Sequence, residues 1–155
     1  IMISFEGVPA IYFNSLFGKS NDEAKYVITG NNRDINRYKW NYENITKKLN
    51  NKNSKQSIFY QNLGRLLEIK RKQKAFHPNA KRLNINLGSK LFCFKRISLD
   101  KKQTIISITN CSSVDQYPKL EKKYSKWKNI INPKINSLKK SIRLKPFETM
   151  WLSNI

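Results

Sequence analysis

The segment from residue 19 to residue 40 carries polar and charged side chains whose types and spacing could support binding. Asn21-Asp22 is followed by the polar run Asn31-Asn32-Arg33-Asp34-Ile35-Asn36-Arg37. Asn and Asp side chains bond nearby backbone groups and so hold loops in shape, whereas the forked donors of an arginine can bind a carboxylate and a hydroxyl group together. Because no sustained hydrophobic period runs through this segment, we predict a long loop, which in a compact domain is usually either functional or disordered.

Residue types suited to nucleophilic or metal chemistry are few elsewhere in the chain. His77 is the only histidine, and no Ser or Cys has a matching base and carboxylate near it, so we interpret His77-Pro78 as the end of a helix. The cysteines, Cys93 and Cys111, lack the CxxC spacing of zinc and redox sites. We expect both to be small buried side chains in strands, and we predict no metal site.

The charge balance raises a second class of function. The 155 residues include 31 Lys and Arg against 10 Asp and Glu, for a net charge of +21, which is typical of proteins that bind nucleic acid. However, 24 of these basic residues are Lys and only 7 are Arg. The chain also holds 19 Asn and 18 Ile, and Lys, Asn and Ile are all encoded by AT-rich codons. The alternative of a small basic cytoplasmic nucleic-acid-binding protein therefore stays open, but charge alone indicates only non-specific association.

The first 18 residues are nearly uncharged and contain a continuous apolar run, Val8-Pro9-Ala10-Ile11-Tyr12-Phe13. Such runs are typical of parallel strands that are covered on both faces, so we predict a buried strand. It needs neighbours that this chain does not contain, and the sequence opens Ile-Met-Ile, so we expect part of a longer protein. No apolar run approaches the roughly 20 residues of a membrane-spanning helix and no signal segment is evident, which favours a cytoplasmic protein without a membrane partner.

Helical and then β patterns fill the rest of the chain. Asn41 is placed to cap a helix that reaches about Leu49, and a second helix is predicted from about Ser54 to Phe76, with Ile58 and Phe59 on its apolar face. Alternating segments then predict an antiparallel sheet. Its strands are expected at 83–87, 91–94, 104–109, 141–144 and 149–152, with a hairpin turn at Gly88-Ser89.

Several of these segments resemble the glycoside hydrolase family 13, or α-amylase, superfamily. Residues 7–12 (GVPAIY) look like its eighth barrel strand, while the Asn-Asp pair and the RDINR run are similar to the loop after that strand in sucrose and glucosylglycerate phosphorylases. Residues 75–78 (AFHP), 144–147 (LKPF) and 151–152 (WL) resemble the barrel exit and the closing strands of the C-terminal β domain. The resemblance covers the whole chain.

The resemblance implies an α+β fold with two parts. Residues 1–77 are expected to be the last β-strand, active-site loop and helix of a (β/α)8 TIM barrel. Residues 78–155 are expected to form a small antiparallel β domain. The activity implied is transfer of glucose from sucrose or a related small glucoside such as glucosylglycerate to inorganic phosphate, giving glucose 1-phosphate, with retention and without a cofactor.

The family's catalytic carboxylates come from earlier barrel strands. The resemblance therefore implies no catalytic residue in this chain, which is expected to be inactive without the missing N-terminal barrel portion. Arg33 matches the family arginine that pairs with an aspartate of that portion and holds the glucosyl ring; alternatively it only ties the loop down through Asp34. Supporting roles in the loop are expected for five residues: Asp22, Asn32, Asp34, Asn36 and Arg37.

Overall fold

The computed structural model describes residues 1–124, 126–133 and 142–155. The chain separates into two units, which we call the helical unit, residues 10–67, and the sheet unit, residues 1–9 with 68–155. The domain boundary expected between residues 77 and 78 stays a prediction. No helix within the described residues is both long enough and apolar enough to cross a membrane.

An antiparallel sheet forms the centre of the sheet unit. Among the described residues its strands lie side by side in the order β1-β2-β3-β5-β4. Their bounds are β1 Lys81–Asn86, β2 Leu91–Ile97, β3 Thr104–Asn110, β4 Lys128–Asn129 and β5 Thr149–Ser153. The predicted antiparallel sheet is thus confirmed. The strand expected at 141–144 is not: Leu144 makes only an isolated bridge with Gln116, and Ser141 lies outside the described residues.

Both faces of β3, the middle strand of this sheet, are covered. On one face Tyr124, Ile142 and Leu144 cover the apolar side chains of β2, β3 and β5. On the other, Phe76 meets Trp151 at a ring-centroid distance of 4.8 Å, and the ring of Phe5 lies against β2. Alternate strand residues point to opposite faces, so covering both faces buries β3 almost throughout.

Arg96 on β2 connects this sheet to the segments that cover it. Its guanidinium is fully buried and donates hydrogen bonds to the carbonyl oxygens of Ser4, His77 and Ala80. Burial lowers the pKa of Arg96 from its ordinary value, because a low-dielectric environment disfavours the charged form. His77, interpreted above as a helix stop, contributes only its backbone oxygen to this contact.

Three of the four helices in the described residues begin after a residue whose side chain caps the first turn, namely Asp22, Asn41 and Ser54. The helices are α1 Phe13–Leu16, α2 Glu23–Thr29, α3 Tyr42–Asn50 and α4 Lys55–Arg71. The predicted cap at Asn41 is confirmed, since its side chain accepts a hydrogen bond from the Asn44 N–H. Helix α4 ends earlier than predicted and a 3-10 turn, Lys74–Phe76, follows it.

Four further sequence-based expectations are wrong. Residues 8–12 form no strand, and Val8 is 82 % exposed, because a buried parallel strand needs partner strands that the described chain does not supply. Residues 19–40 are not one loop, because they include α2 and a 3-10 turn, Asn32–Asn36. Ile58 and Phe59 are exposed rather than buried. Cys93 is buried, which raises its pKa to about 12, but Cys111 is exposed.

Candidate functional site

Asn14 on α1 organises the polar end of the helical unit. Its buried side-chain amide donates to the carbonyl oxygens of Asn36, at 2.9 Å, and Tyr38, at 3.2 Å, and accepts from the indole N–H of Trp40. The Tyr12 hydroxyl donates to the same Asn36 oxygen. A buried side-chain amide such as that of Asn14 needs hydrogen-bond partners, and these bonds fix residues 36–40 against α1.

Two of the residues predicted to support the loop, Asp22 and Asp34, connect α2 to the 3-10 turn Asn32–Asn36. Asp22 caps α2 by accepting from the Lys25 N–H, and its own N–H donates to the Ile35 carbonyl at 2.6 Å. Asp34 forms an ion pair with Lys25, with an N–O distance of 3.5 Å. The carboxylate of Asp34 is therefore engaged with a lysine of α2, and no contact with the Arg33 side chain is seen among the described residues.

The other predicted residues meet at a surface hollow of about 360 Å³, which we call the Arg33 hollow. Its lining consists of Tyr12, Asn32, Arg33, Asn36 and Arg37. Within the described part of the chain the Arg33 guanidinium has no hydrogen-bond or ion-pair partner, although its backbone N–H is held by the Asn31 side chain. The hollow thus presents two arginine side chains and no carboxylate.

A second hollow of about 190 Å³, the Lys19 hollow, shares Tyr12 and Asn36 with the first. The rest of its lining is Asn14, Ser15, Lys19, Ser20 and Asn21. The Lys19 ammonium lies 4.5 Å from the centre of the Tyr38 ring, a distance at which the ring face attracts a cation.

The turn between α1 and Lys19 depends on Gly18. Its φ of +58° is a conformation that other residues rarely adopt, and a Cβ there would lie 2.9 Å from the Phe59 ring. Below this turn the ring of Phe17 contacts those of Phe13, Trp40 and Tyr60. These aromatic contacts support the backbone segments that carry the polar lining.

The sequence alone identifies the lining of the two hollows only in part. It points to Asn32, Arg33, Asn36 and Arg37. It assigns no role to Tyr12, Asn14 or Lys19, and the first two of these lie in the segment interpreted as a strand and its flank. A polar Asn14 between Phe13 and Phe17 was the one local signal, because a polar residue among apolar ones needs hydrogen-bond partners if it is buried. In the described residues no three His, Cys, Asp or Glu side chains cluster as a metal site.

The amino-acid sequence is similar to those of known enzymes. The chain is 30% identical over 152 residues, 98% of its length, to the glucosylglycerate phosphorylase of Escherichia coli. It is 31% identical over 116 residues to that of Spirochaeta thermophila. The chain is homologous to the glucosylglycerate phosphorylases. It spans 26% of the Escherichia coli protein and 20% of the Spirochaeta one, and the resemblance to the C-terminal part of sucrose phosphorylase-like enzymes is confirmed. No family model matches the chain.

Solved structures show the same fold relationship. A maltogenic amylase from S. marinus matches 98% of the phosphorylase-like chain and 18% of its own, with a TM-score of 0.64 and 22% identity. An AmyP variant in complex with maltotriose matches 66% of the chain with a TM-score of 0.56 and 20% identity. At these identities the likeness shows the fold alone.

Proposed function

We propose that this chain forms the C-terminal part of a retaining α-glucosyl phosphorylase. The enzyme would transfer glucose from glucosylglycerate, sucrose or a related small glucoside to inorganic phosphate, giving glucose 1-phosphate. The proposal is supported by homology along 98% of the chain to a glucosylglycerate phosphorylase. Because the chain spans about a quarter of that relative, the activity is proposed for the whole enzyme.

The reaction needs two carboxylates that the hollows of this chain do not provide. In a retaining enzyme one carboxylate attacks the anomeric carbon, and the other first protonates the leaving oxygen and then assists the acceptor, here phosphate. Among the described residues no Asp or Glu lines either hollow, and the nearby Asp22 and Asp34 are engaged as a cap and an ion pair. We therefore propose that both carboxylates come from the barrel portion that the relatives have in addition.

Arg33 carries the contribution of this chain to substrate binding. Its guanidinium lines a hollow without a partner among the described residues, while Asp34, the residue that would make it a loop anchor, is paired with Lys25. An unpaired fork of donors is suited to bind a glucosyl hydroxyl and a carboxylate of the barrel portion at once. This arrangement is the observation that favours sugar binding over a purely structural role.

The same proposal gives each part of the chain a place in the complete enzyme. Residues 1–77 would complete the barrel and residues 78–155 would form the C-terminal β domain. We propose that the enzyme acts in the cytoplasm without a metal or organic cofactor.

A segment exchange tests the proposed function. The part of Escherichia coli glucosylglycerate phosphorylase that matches this chain is replaced by the 155 residues, and phosphorolysis of glucosylglycerate is followed by release of glucose 1-phosphate. The chimera is expected to be active, whereas the 155-residue chain alone is expected to release no glucose 1-phosphate from glucosylglycerate or sucrose. Release by the chain alone above a buffer blank would contradict the proposal, and so would a folded chimera that neither binds nor cleaves glucosylglycerate.

A further inference from the structure

We propose that the Lys19 hollow binds an anionic group of the reactants, either inorganic phosphate or the carboxylate of a glycerate-type glucoside. The assignment of the ligand rests on the proposed function. The assignment of the anion chemistry rests on the lining of the hollow, in which Lys19 is the only charged side chain and no carboxylate takes part.

The Lys19 ammonium is held in position before a ligand arrives. The backbone N–H of Lys19 donates to the Asn14 carbonyl at 3.0 Å, and its Nζ lies over the Tyr38 ring. The Gly18 turn fixes the direction in which the side chain leaves α1. A prepositioned cation loses less side-chain freedom when it binds an anion, which favours binding.

The remaining lining offers hydrogen-bond donors that are not already used. Among the described residues the side chains of Ser15, Ser20 and Asn21 have no hydrogen-bond partner, whereas the donors of Asn14 and Tyr12 are engaged with backbone carbonyls. An anion in this hollow can therefore accept bonds from two hydroxyls, an amide and an ammonium. Charge-assisted hydrogen bonds of this kind are the stronger ones.

The position of the hollow fits a reactant with a neutral sugar and an anionic part. The Lys19 hollow and the Arg33 hollow share Tyr12 and Asn36, so a group bound at Lys19 lies next to the site proposed for the glucosyl ring. The carboxylate of glucosylglycerate and the attacking phosphate share this chemistry. Sucrose has no anionic group and gains nothing from Lys19.

Titration of the 155-residue chain with separate anions tests the site. Inorganic phosphate and glycerate are added separately at a constant ionic strength of about 0.15 M, with glucose as the neutral control, and backbone amide shifts are followed by NMR. We expect millimolar binding, with shifts centred on residues 15–21 and Asn36. Lys19→Met is expected to weaken binding about tenfold, as for loss of one charged hydrogen bond.

Two further variants separate a built site from general attraction to a basic protein. Lys52→Met makes the same change in net charge at an exposed loop position, and we expect its affinity for the anion to stay that of the parent chain. Asn21→Asp is nearly isosteric and places a carboxylate in the hollow, so it should also weaken binding about tenfold or more by like-charge repulsion. Thermal unfolding of each variant checks that the fold is kept.

The outcomes distinguish the two anion sources and the two proposals. Saturable binding of phosphate alone assigns the hollow to the acceptor, binding of glycerate alone assigns it to the glucoside, and mutual competition supports a shared site. Equal losses in Lys19→Met and Lys52→Met, or shifts spread over all lysines, overturn the proposal. An inactive chimera with intact Lys19-dependent binding would reject only the proposed function.

Discussion

Different kinds of interaction stabilise the sheet unit and the helical unit, each considered by itself. In the sheet unit both faces of β3 are buried, and Ile105, Ile106 and Ile108 are fully inaccessible. In the helical unit, all of which is described, four residues are buried and two of them are polar: Asn14, Phe17, Ile45 and Ser57. The sheet unit is therefore stabilised mainly by apolar burial, whereas hydrogen bonds from side chain to backbone fix the shape of the helical unit.

This difference explains how the helical unit can form the Arg33 hollow and the Lys19 hollow. A hydrogen-bonded frame such as the one around Asn14 can hold backbone segments apart and leave polar groups accessible between them. A close-packed apolar core leaves few such spaces. The helical unit thus keeps polar side chains accessible at the two hollows, while the sheet unit contains the larger buried apolar core.

The largest expected effect on stability is in the sheet core. Ile106→Ala removes a fully buried side chain of β3 from the apolar cluster on one face of the sheet, and we expect the free energy of unfolding to fall by about 4 kcal/mol. Val27→Ala on α2, where the side chain is 80 % exposed, should change it by less than about 0.5 kcal/mol. Urea unfolding measures both, and similar losses in the two variants would remove the contrast between the units.

Arg33 should affect activity rather than stability. Arg33→Lys keeps the charge and loses the fork, so in the chimera we expect kcat/KM for glucosylglycerate to fall about 100-fold, or about 3 kcal/mol. The Tm should change little, because the side chain is exposed and has no partner among the described residues.

Arg37→Lys is the matched control for this variant, since Arg37 lines the same hollow. We expect a clearly smaller loss of kcat/KM there. Near-normal kcat/KM in Arg33→Lys together with a lowered Tm would show that Arg33 anchors the loop and would contradict the proposed sugar contact.

Local signals in the sequence predicted the elements that depend on local interactions. The Asn41 cap, the Gly88-Ser89 turn and the alternation of β1 were sufficient because a cap or a hairpin uses residues close in sequence. The signals for α2 were also present, with Asp22 as its N-cap and Gly30 in the left-handed conformation at its end. A search for a sustained hydrophobic period overlooked them because α2 is only 7 residues long.

Features that depend on distant partners could not be predicted in this way. The apolar run at 8–13 is compatible with a buried strand, but only partner strands decide whether it becomes one. The role of Asn14 depends on carbonyls more than 20 residues away, and the residues around Asn14 do not indicate which carbonyls these are. The RDINR run located the Arg33 side of the site through resemblance, and Lys19 lay outside that motif.

A smaller effect on stability is expected at the cap of α3. Asn41→Ala removes the acceptor of the Asn44 N–H and should lower the free energy of unfolding by about 1 kcal/mol. Asn53→Ala, in the exposed turn before α4, serves as the control and should have a smaller effect. Because the helical unit has few buried apolar side chains, loss of the cap should also reduce helicity measured by circular dichroism near Tm.

Asp100 makes the sheet unit sensitive to acid. Hydrogen bonds from Ser98, Lys74 and the Lys102 N–H hold the pKa of its carboxyl well below the usual range. The folded state therefore binds this proton less readily than the unfolded state. Its stabilising contribution is complete above the unfolded pKa of about 4 and is lost as pH falls toward the lowered folded value.

Asp100→Asn should remove this dependence. The difference in Tm between the parent chain and the variant is expected to shrink as pH falls from about 5 to about 2. Glu68→Gln, an exposed position on α4, is the control for loss of one negative charge. A Tm difference that stays constant over this range would show that the hydrogen-bonded carboxylate does not contribute to folding stability.

The weakest interaction is expected with duplex DNA. Its affinity tests the alternative that the chain is a nucleic-acid-binding protein. Ion pairs among the described residues engage few of the 31 basic side chains, and the charges are spread along the chain from Lys19 to Lys145. Affinity measured by fluorescence anisotropy should therefore be weak, independent of sequence and nearly abolished between ~50 and ~200 mM salt. The Lys19→Met and Lys52→Met variants should lose affinity equally here, in contrast to their behaviour with phosphate. Sequence-selective submicromolar binding at the higher salt would favour the nucleic-acid function over the phosphorylase.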